Sequence, residues 1–286
     1  MNRKKIGHPY PHLIGCEIIG FVDNSFTAIN MDMEVCEMDA ATRQEVKSKE
    51  SYLDDMRRDG VIVLKSRILP PKIPALINEI TKIRKIVMAK IHTMDRPLKT
   101  YSDIAERQLN RLDYRCGFTA EIFKEVGEPI IQLVKEISPM IDFRHYWGAI
   151  PSLGGSGPTD LHRDVYPFLN TSEGNNLDSL EIDLPPYYLT VFIPLVEITK
   201  ENGPTEFIKG SHQKKIVDEA QAEIHAPLLS PGDIIIFDGR TLHRGTPNTT
   251  KHEKLIAYIT FVANWYHDQT FEINNYLFPE LAVCGY

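Results

Sequence analysis

The first half of the chain places apolar residues at helical spacing in two long segments. The segment that follows Pro74 has them at positions 76, 77, 80, 83, 87 and 91, which is the period of an amphipathic helix. Residues 119–137 repeat the pattern, but Pro129 lies inside it and removes a backbone donor, so we expect a kink or a break there. Upstream, the charged segment 47–59 predicts a short helix ending at Gly60, and GVIVLKS after it predicts a strand.

After Pro139 the pattern changes to short apolar segments separated by Gly, Pro, Asn and Asp. The strands predicted there are 143–150, 187–196, 205–208, 234–237 and 255–262. Many short strands at regular intervals are typical of a β-barrel or β-sandwich. We therefore expect a mainly β fold with flanking helices, in which the N-terminal helices pack outside a β-core.

The whole chain, residues 1–286, is predicted to be a single domain. Its parts are an N-terminal extension (1–45), a helical support with the first strand (46–140), the β-core (141–270) and a C-terminal tail (271–286). The net charge of −7 argues against nucleic acid or an anionic membrane as a partner. No apolar run reaches the 18 residues of a membrane span, so we expect no membrane partner.

The four cysteines are widely scattered and form no C-x-x-C pair, which disfavours a zinc ribbon or a redox pair. The basic N-terminus is not followed by the apolar stretch of a signal peptide. Together these features predict a protein of the reducing cytoplasm. The sequence leaves the oligomeric state open between a monomer and a homodimer.

One short segment, TDLHRDVYP, holds a histidine and an aspartate two residues apart, His162 and Asp164. Such a pair is common by chance, but on a strand edge residues i and i+2 point to the same side and can share one metal ion. A third ligand is available in PGDIIIFDGRTLHRG, where His243 follows a buried strand. Two histidines and one carboxylate are the facial triad that holds non-heme Fe(II) with open positions for substrates.

Four segments in the right order give the chain a wider resemblance: DGVIVL (59–64), LHRD (161–164), ENGPTEFIKGSH (201–212) and PGDIIIFDGRTLHRGTPNTTKHEK (231–254). From about Tyr52 to Val262 the sequence resembles the phytanoyl-CoA dioxygenase-like family of Fe(II)/2-oxoglutarate-dependent oxygenases. The resemblance implies a double-stranded β-helix core, which is a jelly roll of cupin type. It also implies that His162, Asp164 and His243 bind iron and that Thr190 and Phe192 face the cosubstrate.

The cosubstrate anchor departs from the family pattern. Lys254 opens the strand after His243, at the position where the family normally has arginine. Arginine grips a carboxylate with two hydrogen bonds whereas lysine is a point charge, so the role can survive with a different binding geometry. Arg244 and Arg240 remain alternative anchors. Asp164 itself disfavours halogenation, because related halogenases carry a small residue there.

The resemblance implies an oxidoreductase that uses Fe(II), O2 and 2-oxoglutarate and forms succinate and CO2. We expect it to oxidise, and most simply to hydroxylate, a small molecule of specialised metabolism. The acidic segment 165–186 would attract a cationic substrate, although a solvated loop is the commoner explanation of such a composition. Two other hypotheses stay open: a cupin-type hydroxylase of protein side chains, which Lys254 favours, and a metal-free binding protein on the same fold.

Overall fold

A computed structural model describes residues 49–94, 104–108, 110–165, 184–214, 217–267 and 277–281. The predicted extension 1–45 lies outside the described residues, as do most of the acidic segment 165–186 and most of the tail 271–286. Residues Lys47–Tyr286 group into one compact unit. No helix in the described ranges is long and apolar enough to cross a membrane.

Three α-helices lie in the first half of the described chain. They are α1 (Lys49–Asp59), α2 (Lys72–His92) and α3 (Glu121–Ile137), and short 3-10 turns cover Ser211–Gln213, Glu219–Gln221 and Pro279–Leu281. Helix α1 ends where predicted, because Gly60 has a φ of +74°, a value that other residues rarely adopt. The predicted helices are therefore present.

The break expected at Pro129 is absent, since α3 continues through it. A proline at this position cannot donate to the carbonyl four residues earlier, that of Glu125. The Nζ atom of Lys72, at the start of α2, donates to that carbonyl at 3.2 Å. A donor from the neighbouring helix thus replaces the missing hydrogen bond.

Among the described residues, ten strands form two antiparallel sheets, and all five strands predicted after Pro139 are among them. They are β1 (Val61–Leu64), β2 (Ile104–Gln108), β3 (Arg111–Tyr114), β4 (Phe143–Ser152), β5 (Tyr188–Pro194), β6 (Thr205–Ile208), β7 (Ile224–His225), β8 (Ile234–Asp238), β9 (His243–Gly245) and β10 (Lys254–Ala263). The large sheet has the order β1-β8-β5-β10-β4-β3-β2, and the small sheet has the order β7-β6-β9.

The two faces of the large sheet bury different partners. Strand β10 lies between β5 and β4, and all ten of its residues are buried. On one face, Ile259 and Phe261 belong to a hydrophobic cluster shared with helices α2 and α3. On the other face, Ile256 and Tyr258 form a second cluster with Phe207 of the small sheet. The space between the two sheets is therefore the interior of the β-core.

Candidate metal and cosubstrate site

The two candidate histidine ligands lie directly opposite each other on neighbouring segments. The backbone N–H of His162 donates to the carbonyl of His243 at 3.0 Å, and the N–H of His243 donates back at 2.9 Å. Residues paired in this way project their side chains to the same face. The imidazole centroids are consequently 4.4 Å apart.

Hydrogen bonds to backbone carbonyls select the tautomer of both imidazoles. The Nδ1 of His162 bonds the carbonyl of Asp160 at 2.7 Å, and the Nδ1 of His243 bonds that of Thr241 at 3.0 Å. A carbonyl only accepts, so Nδ1 carries a hydrogen in each ring, and in the neutral tautomer the lone pair is then on Nε2. Both Nε2 atoms face one carboxylate oxygen, Oδ1 of Asp164, at 3.9 Å from His162 and 3.7 Å from His243.

The carboxylate of Asp164 is oriented by its own backbone and by Thr190. The N–H of Asp164 donates to the carbonyl of Gly239 at 2.8 Å. The hydroxyl of Thr190 donates to Oδ2 at 3.3 Å, which leaves Oδ1 towards the imidazoles. Bonds of this kind hold metal ligands in their binding geometry.

Arg163, between the two ligands of the His-x-Asp motif, ties that motif to two other segments. Its guanidinium donates to the carbonyls of Arg240 at 3.1 Å, Ser211 at 3.1 Å and Lys214 at 2.6 Å. No pattern in the sequence singles out this residue. It fixes the backbone that presents His162 and Asp164.

Together the three predicted side chains make a small, one-sided group of donors. One ligand atom from each of His162, Asp164 and His243 lies within 4.8 Å of the other two. The side chain of His243 is 6% exposed, whereas those of His162 and Asp164 are 42% and 25% exposed. Two imidazoles and a carboxylate suit Fe(II), and the exposed side leaves positions for other ligands.

A second group of buried polar residues contains two cations. Lys254 is 2% exposed and donates from Nζ to the carbonyl of Gly203. Arg111 of β3 is 4% exposed and donates from Nη2 to the carbonyl of Thr246 at 2.9 Å. Both residues pair with Ser152 of β4, one from each side. Burial, and then the charge of Arg111, lower the pKa of Lys254 to about 7.

Three polar atoms in this region have no hydrogen-bond partner within the described chain: Nε of Arg111 and the hydroxyls of Ser152 and Ser156. Buried polar groups without partners are unusual, since each costs about 1–3 kcal/mol. A carboxylate placed beside Arg111 would accept from its guanidinium and from a serine hydroxyl. The residues present therefore fit the distal acid group of 2-oxoglutarate.

The alternative anchors proposed from the sequence have other partners. Arg240 donates to Asp238 from Nε at 2.9 Å and from Nη2 at 2.5 Å. Arg244 donates to Glu206 on the small sheet at 2.7 Å. Both guanidiniums are already neutralised, so neither offers the uncompensated charge that a cosubstrate needs. Lys254 opens β10 as expected from the sequence, and Arg111 is a buried basic residue that the sequence analysis did not single out.

The sequence analysis did not single out Arg111 because the sequence of its strand, β3, lacks the apolar pattern of a strand. Strands β2 and β3 contain several charged residues, and no apolar run predicts them. The signal that could have found it is alternation, since Arg111, Asp113 and Arg115 occupy every second position of RLDYR. Such a pattern places all three on one face.

That face carries a closed hydrogen-bond network further along the interior wall. The hydroxyl of Tyr258 donates to Oδ1 of Asp113 at 2.7 Å and accepts from Nε of Arg115 at 2.9 Å. Arg115 also donates to Oδ2 of Asp113 at 2.7 Å. The Tyr258 ring lies across Gly148 of β4 and is 6.3 Å from the ring of Phe192. Phe192 thus lines the interior of the β-core, and its contact with the cosubstrate stays a prediction.

Comparisons with known proteins agree with this geometry. Residues 56–256 match the family model described as phytanoyl-CoA dioxygenase. The "Dioxygenase trt7" of Aspergillus terreus is 24% identical over 205 residues, which cover 69% of this chain and 67% of that protein. The "Fe(II)/2-oxoglutarate-dependent dioxygenase nvfF" of Aspergillus novofumigatus is 27% identical over 211 residues, covering 68% and 64%. The match thus spans about two thirds of these relatives.

Solved structures share the fold at low sequence identity. The epimerase SnoN from nogalamycin biosynthesis, in complex with Fe3+, alpha ketoglutarate and nogalamycin RO, has a TM-score of 0.56 at 15% identity, covering 75% of this chain and 83% of that one. HygX from Streptomyces hygroscopicus, with nickel, 2-oxoglutarate and hygromycin B bound, has a TM-score of 0.56 at 10% identity, covering 77% and 89%. The predicted jelly-roll core is confirmed. The chain therefore belongs to the phytanoyl-CoA dioxygenase family, and the predicted enzyme class and cofactors, those of an Fe(II)/2-oxoglutarate-dependent dioxygenase, are confirmed at the level of that family.

Proposed function

We propose that this protein couples the oxidative decarboxylation of 2-oxoglutarate to the oxidation, most simply the hydroxylation, of a small molecule in specialised metabolism. His162, Asp164 and His243 hold the iron in this proposal, and Arg111 and Lys254 hold the distal carboxylate of the cosubstrate. The observation that carries it is the pair of buried basic side chains, with unpartnered polar atoms beside them in the described chain and with Arg111 packed against Gly245 of the strand that carries His243.

The bound iron, with 2-oxoglutarate and O2, would supply the oxidising chemistry, with succinate and CO2 as coproducts. The contribution of the chain is positional. Asp160 and Thr241 keep the imidazole lone pairs on Nε2, and Thr190 keeps one carboxylate oxygen of Asp164 directed at them. Because Asp164 is a carboxylate, it occupies a ligand position that a halide would need.

The small sheet supports the placement of the cosubstrate between the metal and the cations. Gly245 lies two residues after His243 on β9, and a Cβ atom there would be 3.0 Å from Cζ of Arg111 and closer to Nη1. The guanidinium of Arg111 therefore packs directly against the strand that carries a metal ligand. One short diacid could contact both groups.

A small-molecule substrate is supported by the solved structures that share the fold, which hold nogalamycin RO and hygromycin B. Residues 166–183, which follow the metal motif, are outside the described chain, so a preference for cationic substrates stays a prediction. Hydroxylation of a protein side chain has the lysine anchor in its favour. A metal-free binding role is disfavoured, because all three donors are intact.

Anaerobic titration of the protein with Fe(II) and 2-oxoglutarate tests the proposal. We expect the weak visible charge-transfer band of the iron–keto acid complex, and we expect His243→Ala to remove it. Arg111→Ala should require at least about tenfold more 2-oxoglutarate, because it removes a charged partner worth about 1.5–3 kcal/mol. Arg244→Ala is the matched control, since this arginine binds Glu206, and its titration should be unchanged.

The absence of the band in the wild-type protein would refute the oxygenase function. If the band forms, a compound screen that measures succinate formation identifies the substrate, because coupled turnover rises with the correct compound. A peptide that raises succinate formation where small molecules do not would favour the protein hydroxylase.

A further inference from the structure

We propose that 2-oxoglutarate binding at this site takes up a proton and that Lys254 is the group that receives it. The inference rests on the function proposed above and goes beyond it, because it concerns the state of the site before the cosubstrate arrives. In that state Lys254 is a neutral amine above neutral pH. The diacid then enters with a proton rather than meeting two preformed cations.

The two buried basic side chains have carbonyl partners rather than carboxylate partners in the described chain. Lys254 and Arg111 both flank Ser152, and they donate to the backbone carbonyls of Gly203 and Thr246. A carbonyl dipole does not neutralise a charge. Keeping two like charges in one buried region is unfavourable, and of the two groups only the lysine can lose its proton near neutral pH.

The acids and cations nearest in sequence to Lys254 point elsewhere or lie in solvent. Glu253, the preceding residue, pairs with Arg84 of α2 on the opposite face of the strand. Lys251 and His252 in the turn before β10 are exposed, and so is Glu201 in the turn before Gly203. Ser152 on the adjacent strand carries no charge. Among the described residues, Arg111 is the one charged group that affects the pKa of the lysine, and it acts against protonation.

The direction of the coupling follows from this arrangement. Burial and Arg111 lower the pKa of Lys254 to about 7 in the empty site. A carboxylate bound beside the amine favours its charged form and raises that pKa. Below pH 7 the lysine is already protonated and binding needs no proton. Above pH 7 the lysine must take up a proton from solvent when 2-oxoglutarate binds, so the affinity for 2-oxoglutarate falls as pH rises.

Calorimetry measures the proton directly. The protein loaded anaerobically with Fe(II) is titrated with 2-oxoglutarate at one pH in buffers of different ionisation enthalpy, such as phosphate and Tris. We expect uptake of about 0.9 proton per site at pH 8 and about 0.1 at pH 6, with affinity about tenfold weaker at pH 8. Pyruvate, which chelates iron through the same keto-acid end but lacks the distal carboxylate, corrects for protons exchanged at the metal and should show no such uptake.

Lys254→Arg is the matched variant, because arginine keeps the charge and stays protonated. Its 2-oxoglutarate binding should show no uptake beyond that seen with pyruvate and no tenfold loss between pH 6 and pH 8. The comparison of 2-oxoglutarate with pyruvate in the wild-type protein gives the answer even if this variant does not fold.

Equal proton uptake with 2-oxoglutarate and pyruvate would overturn the inference while leaving the proposed function intact. Equal uptake in the wild-type protein and Lys254→Arg would do the same, because the proton would then belong to another group. If 2-oxoglutarate gives neither heat nor a charge-transfer band at any pH, the proposed function fails and this inference fails with it.

Discussion

The interior wall of the β-core depends on one glycine, and replacing it gives a quantitative test of the packing. A Cβ atom on Gly148 would lie 2.6 Å from Cε1 of Tyr258 and closer still to Cζ and the hydroxyl. The ring has little room to move, since Tyr258 is 5% exposed and its hydroxyl is bonded to Asp113 and Arg115. Gly148→Ala should therefore displace the ring and break both hydrogen bonds.

The expected cost of Gly148→Ala follows from those contacts. Overpacking a filled core costs about 1–3 kcal/mol, and each hydrogen bond to a charged group contributes about 1.5–3 kcal/mol. Replacing a strand glycine by alanine returns about 0.5–1 kcal/mol of backbone entropy. We expect the free energy of unfolding to fall by about 3–8 kcal/mol, a large share of the roughly 5–15 kcal/mol typical of domains.

Urea unfolding of the metal-free protein, followed by circular dichroism, measures this change without a contribution from metal binding. Gly157→Ala is the matched control, because nothing lies within 4 Å of a Cβ atom there, and we expect a change within about 0.5 kcal/mol. Tyr258→Ala removes the clashing ring, so in the double variant Gly148→Ala should cost much less. A loss below about 1 kcal/mol for Gly148→Ala, or simple additivity in the double variant, would show that the ring is not confined as described.

Two further substitutions separate cosubstrate binding from metal binding. Gly245→Ala places a methyl group against the guanidinium of Arg111, so 2-oxoglutarate affinity should fall about tenfold while Fe(II) affinity stays unchanged. Titration of the charge-transfer band measures both affinities. Unchanged 2-oxoglutarate affinity would contradict the placement of Arg111. Arg163→Ala removes three hydrogen bonds to backbone carbonyls around the His-x-Asp motif. It should weaken Fe(II) binding about 10–100-fold, measured in competition with a chelator. Unaltered Fe(II) affinity in a folded variant would show that the motif keeps its conformation without this arginine.

The parts of the fold that were predictable from the sequence are those encoded by local apolar patterns. Strands β5, β8 and β10 are continuous runs of buried residues. The metal motif could be placed beside them because His-x-Asp with a distant histidine is the ligand set of a facial triad. The sequence predicted a kink or a break at Pro129, and the break is absent because the replacement hydrogen bond comes from another helix: the side chain of Lys72 is adjacent to Glu125 only after α2 and α3 have packed.

The basic residues that we propose to hold the cosubstrate were less predictable, for a related reason. Arg240 and Arg244 are close to His243 in sequence, but their carboxylate partners lie on β8 and β6, and the sequence does not show which cation is already neutralised. Arg111 sits far from the metal motif in a strand with charged inward positions. Its relation to Lys254 exists through the pairing of β3, β4 and β10, and no local pattern records that pairing.

The reciprocal backbone pair between His162 and His243 also has a consequence for how the metal enters. Those two hydrogen bonds hold the imidazoles together whether or not an ion is present, so loading should require little rearrangement of the polypeptide. Iron can then be removed and returned, or exchanged for another divalent ion, as a reversible equilibrium of a folded protein. A chelator would leave behind an intact apoprotein ready to be reconstituted.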